Sequence, residues 1–464
     1  MNPPSNSLLI RAGRVIDPAS GVDGPFDVLV MAGEIEAVEA AGTLTAPEGV
    51  PEIDASGWWV MPGLVDPHVH LRDPGFPEKE TIASGLRAAA AGGFTTVAAM
   101  ANTKPVNDSV EVTRYMLARA KEAHSSRLVP VSAVTRGLGG VELIDFAAMA
   151  EAGARLFSDD GVPIDDQMVL SRAFDAAARL GYAISLHEED RALSRDGALN
   201  AGEVSKRLGV TGYPDSAESR RVRRDLALAI GAGAAVHVAH VSTAESIELV
   251  RAARRNGARV TCEVTPHHFT LDDTAALRWG PSAKMNPPLR SREDVGAICA
   301  AIADGTIDMI ATDHAPHDPA SKRMDVLAPC FGPDNDARHL SPELAEQFAH
   351  AANGIVGLET ALGLALGLVD QGLLAPARLV EMMSLNSAAL LRIEAGTLAT
   401  GAPADVTIVD PDLNWTVEPE RFLSRSRNTP FTGRRLKGRA IITIVAGEIV
   451  YDGRKTDLKK SGQS

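Results

Sequence analysis

The stretch Leu64-Val65-Asp66-Pro67-His68-Val69-His70-Leu71-Arg72-Asp73-Pro74-Gly75 decides how the rest of the chain is read. Its apolar opening follows Pro62-Gly63 and is too short for a helix, so it reads as a buried strand that delivers His68 and His70 at its carboxyl end. Residues two apart on extended backbone point to the same side, and both imidazoles can therefore reach one ion. Neutral imidazole is the commonest metal ligand, and a pair from one strand needs only one or two further donors to make a catalytic site with an open position. Arg72 follows at the same spacing, placed to hold a carboxylate beside that ion. A lone His-x-His pair also arises by chance, so the reading depends on what other strand ends supply.

The chain around this stretch has 464 residues, 45% hydrophobic and 23% charged, the proportions of an ordinary globular protein. No apolar run approaches the roughly 20 residues needed to span a bilayer. The opening Met1-Asn2-Pro3-Pro4-Ser5-Asn6-Ser7 lacks the basic and apolar regions of a signal peptide, and the expected location is the cytoplasm. A formal net charge of -14 argues against a nucleic-acid partner, and the short basic runs Arg220 to Arg224 and Arg434 to Arg439 read as solvated faces. Cys262, Cys299 and Cys330 are far apart, which argues against disulfides and against a thiolate zinc site.

Residues 8 to 62 carry short alternating segments (Leu8-Leu9-Ile10, Val28-Leu29-Val30, Ile35-Glu36-Ala37-Val38) broken by Gly and Pro, the pattern of antiparallel strands. Ala404 to Val409 and Ala440 to Val450 repeat the pattern, and Ala-Gly-Glu-Ile occurs both at 32 to 35 and at 446 to 449. The two ends therefore read as halves of one composite β-sandwich. Between them strand and helix alternate. After the opening strand come Thr95-Thr96-Val97, Leu128 to Ala133, Arg155 to Ser158, Ala183 to His187, Ala235 to His240, Ala258 to Val264 and Met309 to Asp313. Helical patterns separate most of them, with a polar excursion at Glu188 to Asp215. Eight such repeats predict parallel strands closed into a (β/α)₈ barrel. The expected organisation is 1-62 and 396-464 as the two halves of the β-domain and 63-395 as the barrel.

Active sites of such barrels lie at the carboxyl ends of the strands. The residues there are His68 and His70, Asn102, Asp159 and Asp160, His187, His240 and Asp313. Each has an ordinary alternative: His187 could cap a helix, and Asp159-Asp160-Gly161 is a good turn. Metal-ligand types at so many strand ends are a different matter. Four histidines and two carboxylates exceed the needs of one tetrahedral ion, so two ions bridged by a carboxylate and hydroxide fit best. Such a pair lowers the pKa of the shared water and polarises a carbonyl, and Asp313 is suited to take the nucleophile's proton and return it to a leaving nitrogen. The implied chemistry is hydrolysis of an amide-like bond.

These residues, in this order, resemble the amidohydrolase superfamily, and the motifs are similar to those of the dihydroorotases of the bacterial class I branch. The likeness rests on Asp66 to Gly75, Ala101-Asn102-Thr103-Lys104-Pro105, Asp159-Asp160-Gly161, His237-Val238-Ala239-His240-Val241-Ser242, Lys284-Met285-Asn286-Pro287-Pro288-Leu289-Arg290 and Thr312-Asp313-His314-Ala315-Pro316-His317. It covers nearly the whole chain. The resemblance implies zinc ligation by His68, His70, Asp160, His187, His240 and Asp313, with Asp313 also the general acid/base. It implies that His70, Arg72, Asn102 and His317 face the substrate and its carboxylate, and that Asn286 meets the pyrimidine edge. The substrates implied are N-carbamoyl-L-aspartate and dihydroorotate, in pyrimidine biosynthesis, with a homo-oligomer (dimer) and association with aspartate carbamoyltransferase as the family's assemblies.

Many members of the superfamily bridge two metals with a carbamylated lysine after the fourth strand, and this chain has none there. Spacing to His187 favours Asp160 over Asp159 as the bridge. The segment Asp318 to Ala352, with Pro319, Pro329, Pro333 and a helix-like Ser341 to Ala351, is longer than expected, and leaves two candidates for backbone contact with substrate, Phe331-Gly332 and Asn353-Gly354. His267 and His268 read as loop residues and His314 as structural. The rival readings are an allantoinase or hydantoinase, against which Arg72-Asp73-Pro74-Gly75 weighs, and a non-catalytic scaffold, against which the full ligand set weighs.

Overall fold

The structure, a computed structural model, describes residues 4-332 and 339-455; Met1 to Pro3, Pro333 to Arg338 and the chain beyond Lys455 lie outside it. Eight strands form a parallel sheet in sequential order: Leu64–Val69, Phe94–Ala99, Arg127–Ser132, Leu156–Phe157, Ile184–Leu186, Ala235–Val238, Arg259–Val264 and Met309–Ile310. The first is buried at all six positions, as expected of a strand covered on both faces. The ring closes between first and last strands through a parallel bridge from Val69 to His314, and His70 N–H donates to the His314 carbonyl (2.8 Å). Buried Asp66 adds a second tie, accepting from the amides of His68 (3.1 Å) and Thr312 (3.2 Å).

The connecting helices start where their caps predict. Thr81 and Ser84 form a capping box for Ile82–Ala91, Asp166 accepts two amides at the start of Gln167–Leu180, and Thr243 caps Ala244–Arg255. Gly181, at φ 76, ends the second of these with a left-handed residue. The polar excursion is more ordered than its composition suggests. It contains the short helices Arg191–Ser194 and Glu203–Leu208 and a two-stranded parallel ribbon, Leu199–Asn200 with Gly212–Tyr213.

Both ends of the chain build one further sheet. Its order is Glu448–Asp452, Arg435–Val445, Val406–Thr416, Trp59–Pro62, Leu8–Asp17, Val22–Met31 and Glu34–Ala40, with Glu52–Asp54 also pairing Leu8–Asp17. The halves join where Trp59–Pro62 pairs antiparallel with Val406 to Val409. The sheet has its own core, in which Ile10, Val28 and Val60 meet Val406, Ile408 and Ile442. The repeated Ala-Gly pairs are two-residue hairpin turns, with Ala32 and Gly33 at φ 52 and 88 and Ala446 and Gly447 at φ 46 and 75. A Cβ on Gly33 would lie 2.8 Å from the Ala446 carbonyl oxygen, so the two turns pack on each other. Among the described residues no helix is long and apolar enough to cross a membrane.

Candidate active site

His68 lies one residue before the end of the first strand and His70 just past it, and their rings meet Asn102, Asp160, His240, Glu263 and Asp313 from five other strands. His68, His70 and Asp160 form one group of possible metal-binding atoms and Asp160, His187 and His240 a second, each with its atoms within 4.8 Å of one another. Asp160 belongs to both. Its Oδ1 lies 3.5 Å from His68 Nε2, 3.7 Å from His187 Nδ1 and 3.7 Å from His240 Nε2, and its Oδ2 lies 3.5 Å from His70 Nε2. Asp313 Oδ1 is 3.0 Å from His70 Nε2 and 3.6 Å from His68 Nε2. Asp159, by contrast, turns away and accepts from the amides of Val134 and Thr135. The two adjacent aspartates thus divide the work, one holding the preceding loop and one facing the histidines.

The outer ring nitrogens are committed elsewhere. His68 Nδ1–H donates to Glu263 Oε1 (2.6 Å), His70 Nδ1–H to Asn102 Oδ1 (2.9 Å) and His187 Nε2–H to Glu189 Oε2 (3.2 Å). With a cation at the centre each ring is neutral and turns its other lone pair there, beside carboxylate oxygens that also only accept; without one the rings take up protons instead and hydrogen-bond the carboxylates, as His70 Nε2 does to Asp313 Oδ1 (3.0 Å). His68 Nε2 and Asp160 Oδ1 are buried without any hydrogen-bond partner. Acceptors packed against acceptors call for cations between them, so the residues fit a metal centre. The field has the same sense. Burial opposes charge on His68, but Glu263 and Asp160 outweigh it and push the imidazole well above its ordinary pKa. Burial likewise opposes ionisation of Asp313, and the His70 hydrogen bond with the charge of His68 holds it below the usual carboxylate range. An environment that draws protons this strongly draws metal ions too.

Glu263 and His237 are part of this arrangement and were not anticipated as such. Glu263, on the seventh strand, takes the His68 proton on one oxygen and His237 Nε2–H on the other (3.0 Å), while His237 Nδ1 accepts from Thr261 (2.9 Å). A carboxylate in the middle of the apolar strand Arg259–Val264 was the available signal, since a buried acid is rarely left unpaired.

Beside the histidines lies a cavity of about 240 Å³, lined by His70, Arg72, Asn102, Asn286, His317 and Asn353 among others. That is smaller than the roughly 300–1,000 Å³ of sites for drug-sized ligands and suits one small ring. Burial draws the Arg72 pKa down to about 10, against the pull of Asp313 and Asp160, which leaves it charged at neutral pH. Its Nη2 is 3.2 Å from His317 Nε2, and the latter donates to the Asn353 carbonyl (2.8 Å). Asn102 spends its Oδ1 on His70, and its NH₂ makes only long contacts, 3.5 Å to the Asp160 carbonyl and to Asp160 Oδ2. Arg72, His240 and Asp313 all sit at positive φ (60, 32 and 47), backbone that bulky residues rarely adopt and that clusters at functional sites.

Of the two candidates for backbone contact, Asn353 and Gly354 line the cavity, whereas Phe331 packs against Phe348. The long segment after the eighth strand is anchored by two buried lysines. Lys284 donates to the carbonyls of Ala349 (2.7 Å) and Ala351 (2.6 Å), and Lys322 to those of Pro281 (2.9 Å) and Lys284 (3.0 Å). His267 and His268 are buried on the short helix Pro266–Thr270 rather than in an open loop, and His268 is satisfied by Thr265 (2.7 Å) and the Pro287 carbonyl (3.1 Å). His314 accepts from the Gly357 amide through Nδ1 (3.1 Å). The run Arg220 to Arg224 is not wholly solvated: Arg221 is buried and donates to the Glu189 carbonyl (3.0 Å).

A parallel barrel whose strand ends converge on two overlapping ligand groups, next to a small polar cavity, defines a metal-dependent hydrolase of the kind that opens cyclic amides. Solved structures with this architecture include an L-hydantoinase (dihydropyrimidinase) from Arthrobacter aurescens, at 26% identity and TM-score 0.83 over 96% of both chains. A D-hydantoinase (dihydropyrimidinase) from Thermus sp. matches at 26% identity and TM-score 0.77, again over 96% of each chain. The family model described as dihydro-orotase-like matches residues 57–246. A dihydroorotase of Syntrophus aciditrophicus (strain SB) is 47% identical over 96% of this chain and 99% of its own, and one of Anaeromyxobacter dehalogenans (strain 2CP-1) is 47% identical over 98% and 100%. The chain belongs to the dihydroorotase family.

Proposed function

We propose that this chain catalyses the reversible closure of N-carbamoyl-L-aspartate to dihydroorotate and water, the ring-forming step of pyrimidine synthesis, and that it does so with two zinc ions. The observation that carries the reading is the shared carboxylate: Asp160 belongs to both ligand groups, and these open beside the basic corner formed by Arg72. His68, His70, Asp160, His187, His240 and Asp313 would hold the ions. When bound, such ions polarise an amide carbonyl and make water nucleophilic at neutral pH.

The remaining work falls to the protein's own groups. Arg72 offers a planar fork to the substrate carboxylate, the weakly engaged NH₂ of Asn102 adds a donor, and His317 stands beside them. Asn286 meets the polar edge of the ring. In the opening direction Asp313 takes a proton from the attacking water and delivers it to the ring nitrogen as the amide C–N bond breaks; closure moves the same proton back. The segments 63-395 and 1-62 with 396-464 act as catalytic barrel and supporting β-domain. Cytoplasmic location, assembly as a dimer and association with aspartate carbamoyltransferase belong to the same proposal, and sizing of the purified protein with and without the transferase tests the assemblies.

The catalytic reading is tested by incubating the purified protein with L-dihydroorotate, following ring opening by ultraviolet absorbance and measuring zinc on the same sample. Zinc-dependent opening that falls by at least about 10²-fold in Asp313→Ala is expected. Opening of allantoin or hydantoin but not dihydroorotate would overturn the substrate, and absence of both metal and turnover would point to a scaffold.

A further inference from the structure

Glu189 is not among the residues lining the cavity, yet it reaches two that are. Its Oε2 accepts from Asn286 Nδ2 (3.0 Å) and lies 3.2 Å from His187 Nε2, while its Oε1 accepts from the Ser194 hydroxyl. Its backbone is held as well, since Arg221 Nε donates to the Glu189 carbonyl (3.0 Å). The whole residue is buried.

An ionised carboxylate has no proton to give, so both neighbours must donate to it. For His187 this places the ring proton on Nε2 and leaves Nδ1 bare, and Nδ1 is the atom 3.0 Å from His240 Nε2 and 3.7 Å from Asp160 Oδ1. For Asn286 it fixes the amide the right way round. The NH₂ is used on Glu189, and Oδ1 remains a buried acceptor with no partner in the protein. One carboxylate oxygen therefore sets the hydrogen-bonding sense of two groups with different tasks.

We propose that Glu189 is the positioning residue that joins metal binding to substrate reading: it aims the His187 Nδ1 lone pair at a metal ion and leaves the Asn286 carbonyl oxygen to accept a ring N–H of the substrate. The second half rests on the dihydroorotase reading above; the first needs only the donor chemistry. Specificity follows from the arrangement. A cyclic amide that brings a donor to Oδ1 satisfies the orphaned oxygen, whereas one N-methylated there leaves it buried and unpaired.

The test uses the zinc-loaded enzyme and three variants. Glu189→Met removes both acceptors at similar length, and it should raise KM for dihydroorotate about tenfold and weaken zinc binding, measured by chelator competition, by about tenfold. Glu189→Gln should restore both to within about threefold, because its carbonyl can take the Oε2 position while its amide faces Ser194; a residue needed only for charge would not be rescued this way, and one needed only for bulk would not be impaired in Glu189→Met. Asn286→Ala added to Glu189→Met should raise KM by less than about threefold, since the oriented acceptor is already lost. Unchanged KM and zinc affinity in Glu189→Met overturns the proposal, as does a Gln variant as impaired as Met. If Glu189→Met does not fold, Ser194→Ala substitutes for it: a shift of about threefold in both readouts supports the proposal and no shift overturns it. Should the wild type fail to open dihydroorotate, the functional reading falls, and the chelator measurement alone still decides the role of Glu189 toward His187.

Discussion

Replacing Glu263 by leucine is the sharpest probe of how the metal centre is held. The substitution keeps the position filled but takes the acceptor from a pair of buried ring donors, His68 Nδ1–H at 2.6 Å and His237 Nε2–H at 3.0 Å, and from the more distant His240 amide at 3.3 Å. Leaving a buried donor unsatisfied costs about 1–3 kcal/mol, so the pair predicts a loss of about 2–6 kcal/mol in folding stability. Against a total of about 5–15 kcal/mol this is large. The metal feels it separately. Without Glu263 the His68 ring is free to rotate or to carry its proton on Nε2, and removal of such a supporting carboxylate lowers metal affinity by about 10–100-fold. Chelator competition at low temperature measures the second effect, and urea unfolding of the metal-free protein the first. Glu263→Gln is the internal control. Its carbonyl can serve His68 while its amide donates to His237, whose other nitrogen can then donate to Thr261, so the affinity should fall by less than about tenfold. A folded Glu263→Leu protein that binds zinc within threefold of wild type would refute the argument that outer hydrogen bonds fix the inner lone pairs.

Other outcomes follow from the same geometry. Arg72→Lys exchanges a planar fork for a point charge, so KM for dihydroorotate should rise about 10–100-fold with kcat changed far less; an equal fall in kcat would place Arg72 in the chemical step. Lys284 meets only backbone carbonyls in a buried setting, and burial lowers its pKa to about 8. Between pH 8 and its ordinary value of 10.5 the unfolded chain therefore binds more protons than the folded one, and stability from this group rises with pH by up to about 1.4 kcal/mol per unit. Urea midpoints at pH 8 and 10 should diverge in that sense for the wild type and converge in Lys284→Met. Dialysis against a strong chelator should abolish ring opening and lower the melting temperature, and zinc should restore both, because the cluster of acceptors around Asp160 is then left without its counter-charge.

Much of the barrel is visible in the chain because parallel strands covered on both faces are short apolar runs, and because these end in residues with chemistry. His68 and His70 are legible from their spacing once the other strand ends are seen to carry ligand types as well. Asp160 is separable from Asp159 only by its distance from His187 in sequence, and the structure gives the physical reason: one aspartate caps the loop at Val134 and Thr135 while the next faces the histidines. What stays hidden is what the pattern averages away. Glu263 and His237 look like interruptions of apolar strands, and nothing local says that they answer each other across neighbouring strands. Glu189 sits in a polar stretch where a carboxylate attracts no notice. The positive φ of His240 and Asp313 is not readable either, because Asp and His adopt it more often than most residues yet still only occasionally.

The joint between the two halves of the terminal sheet has a consequence for how the protein is made. Trp59–Pro62 pairs with Val406 to Val409, partners roughly 340 residues apart in the chain. At about 5–20 residues per second, a ribosome takes on the order of 20–70 seconds to deliver the second partner after the first. Throughout that interval the early strands wait with an open edge, and with Ile10, Val28 and Val60 lacking the Val406, Ile408 and Ile442 that cover them. Every catalytic group up to Asp313 has by then emerged, yet the nascent chain still carries a sticky, half-built sheet. Shielding by a chaperone is therefore most needed late in synthesis, and C-terminal truncations that spare all the active-site residues should still be lost to aggregation.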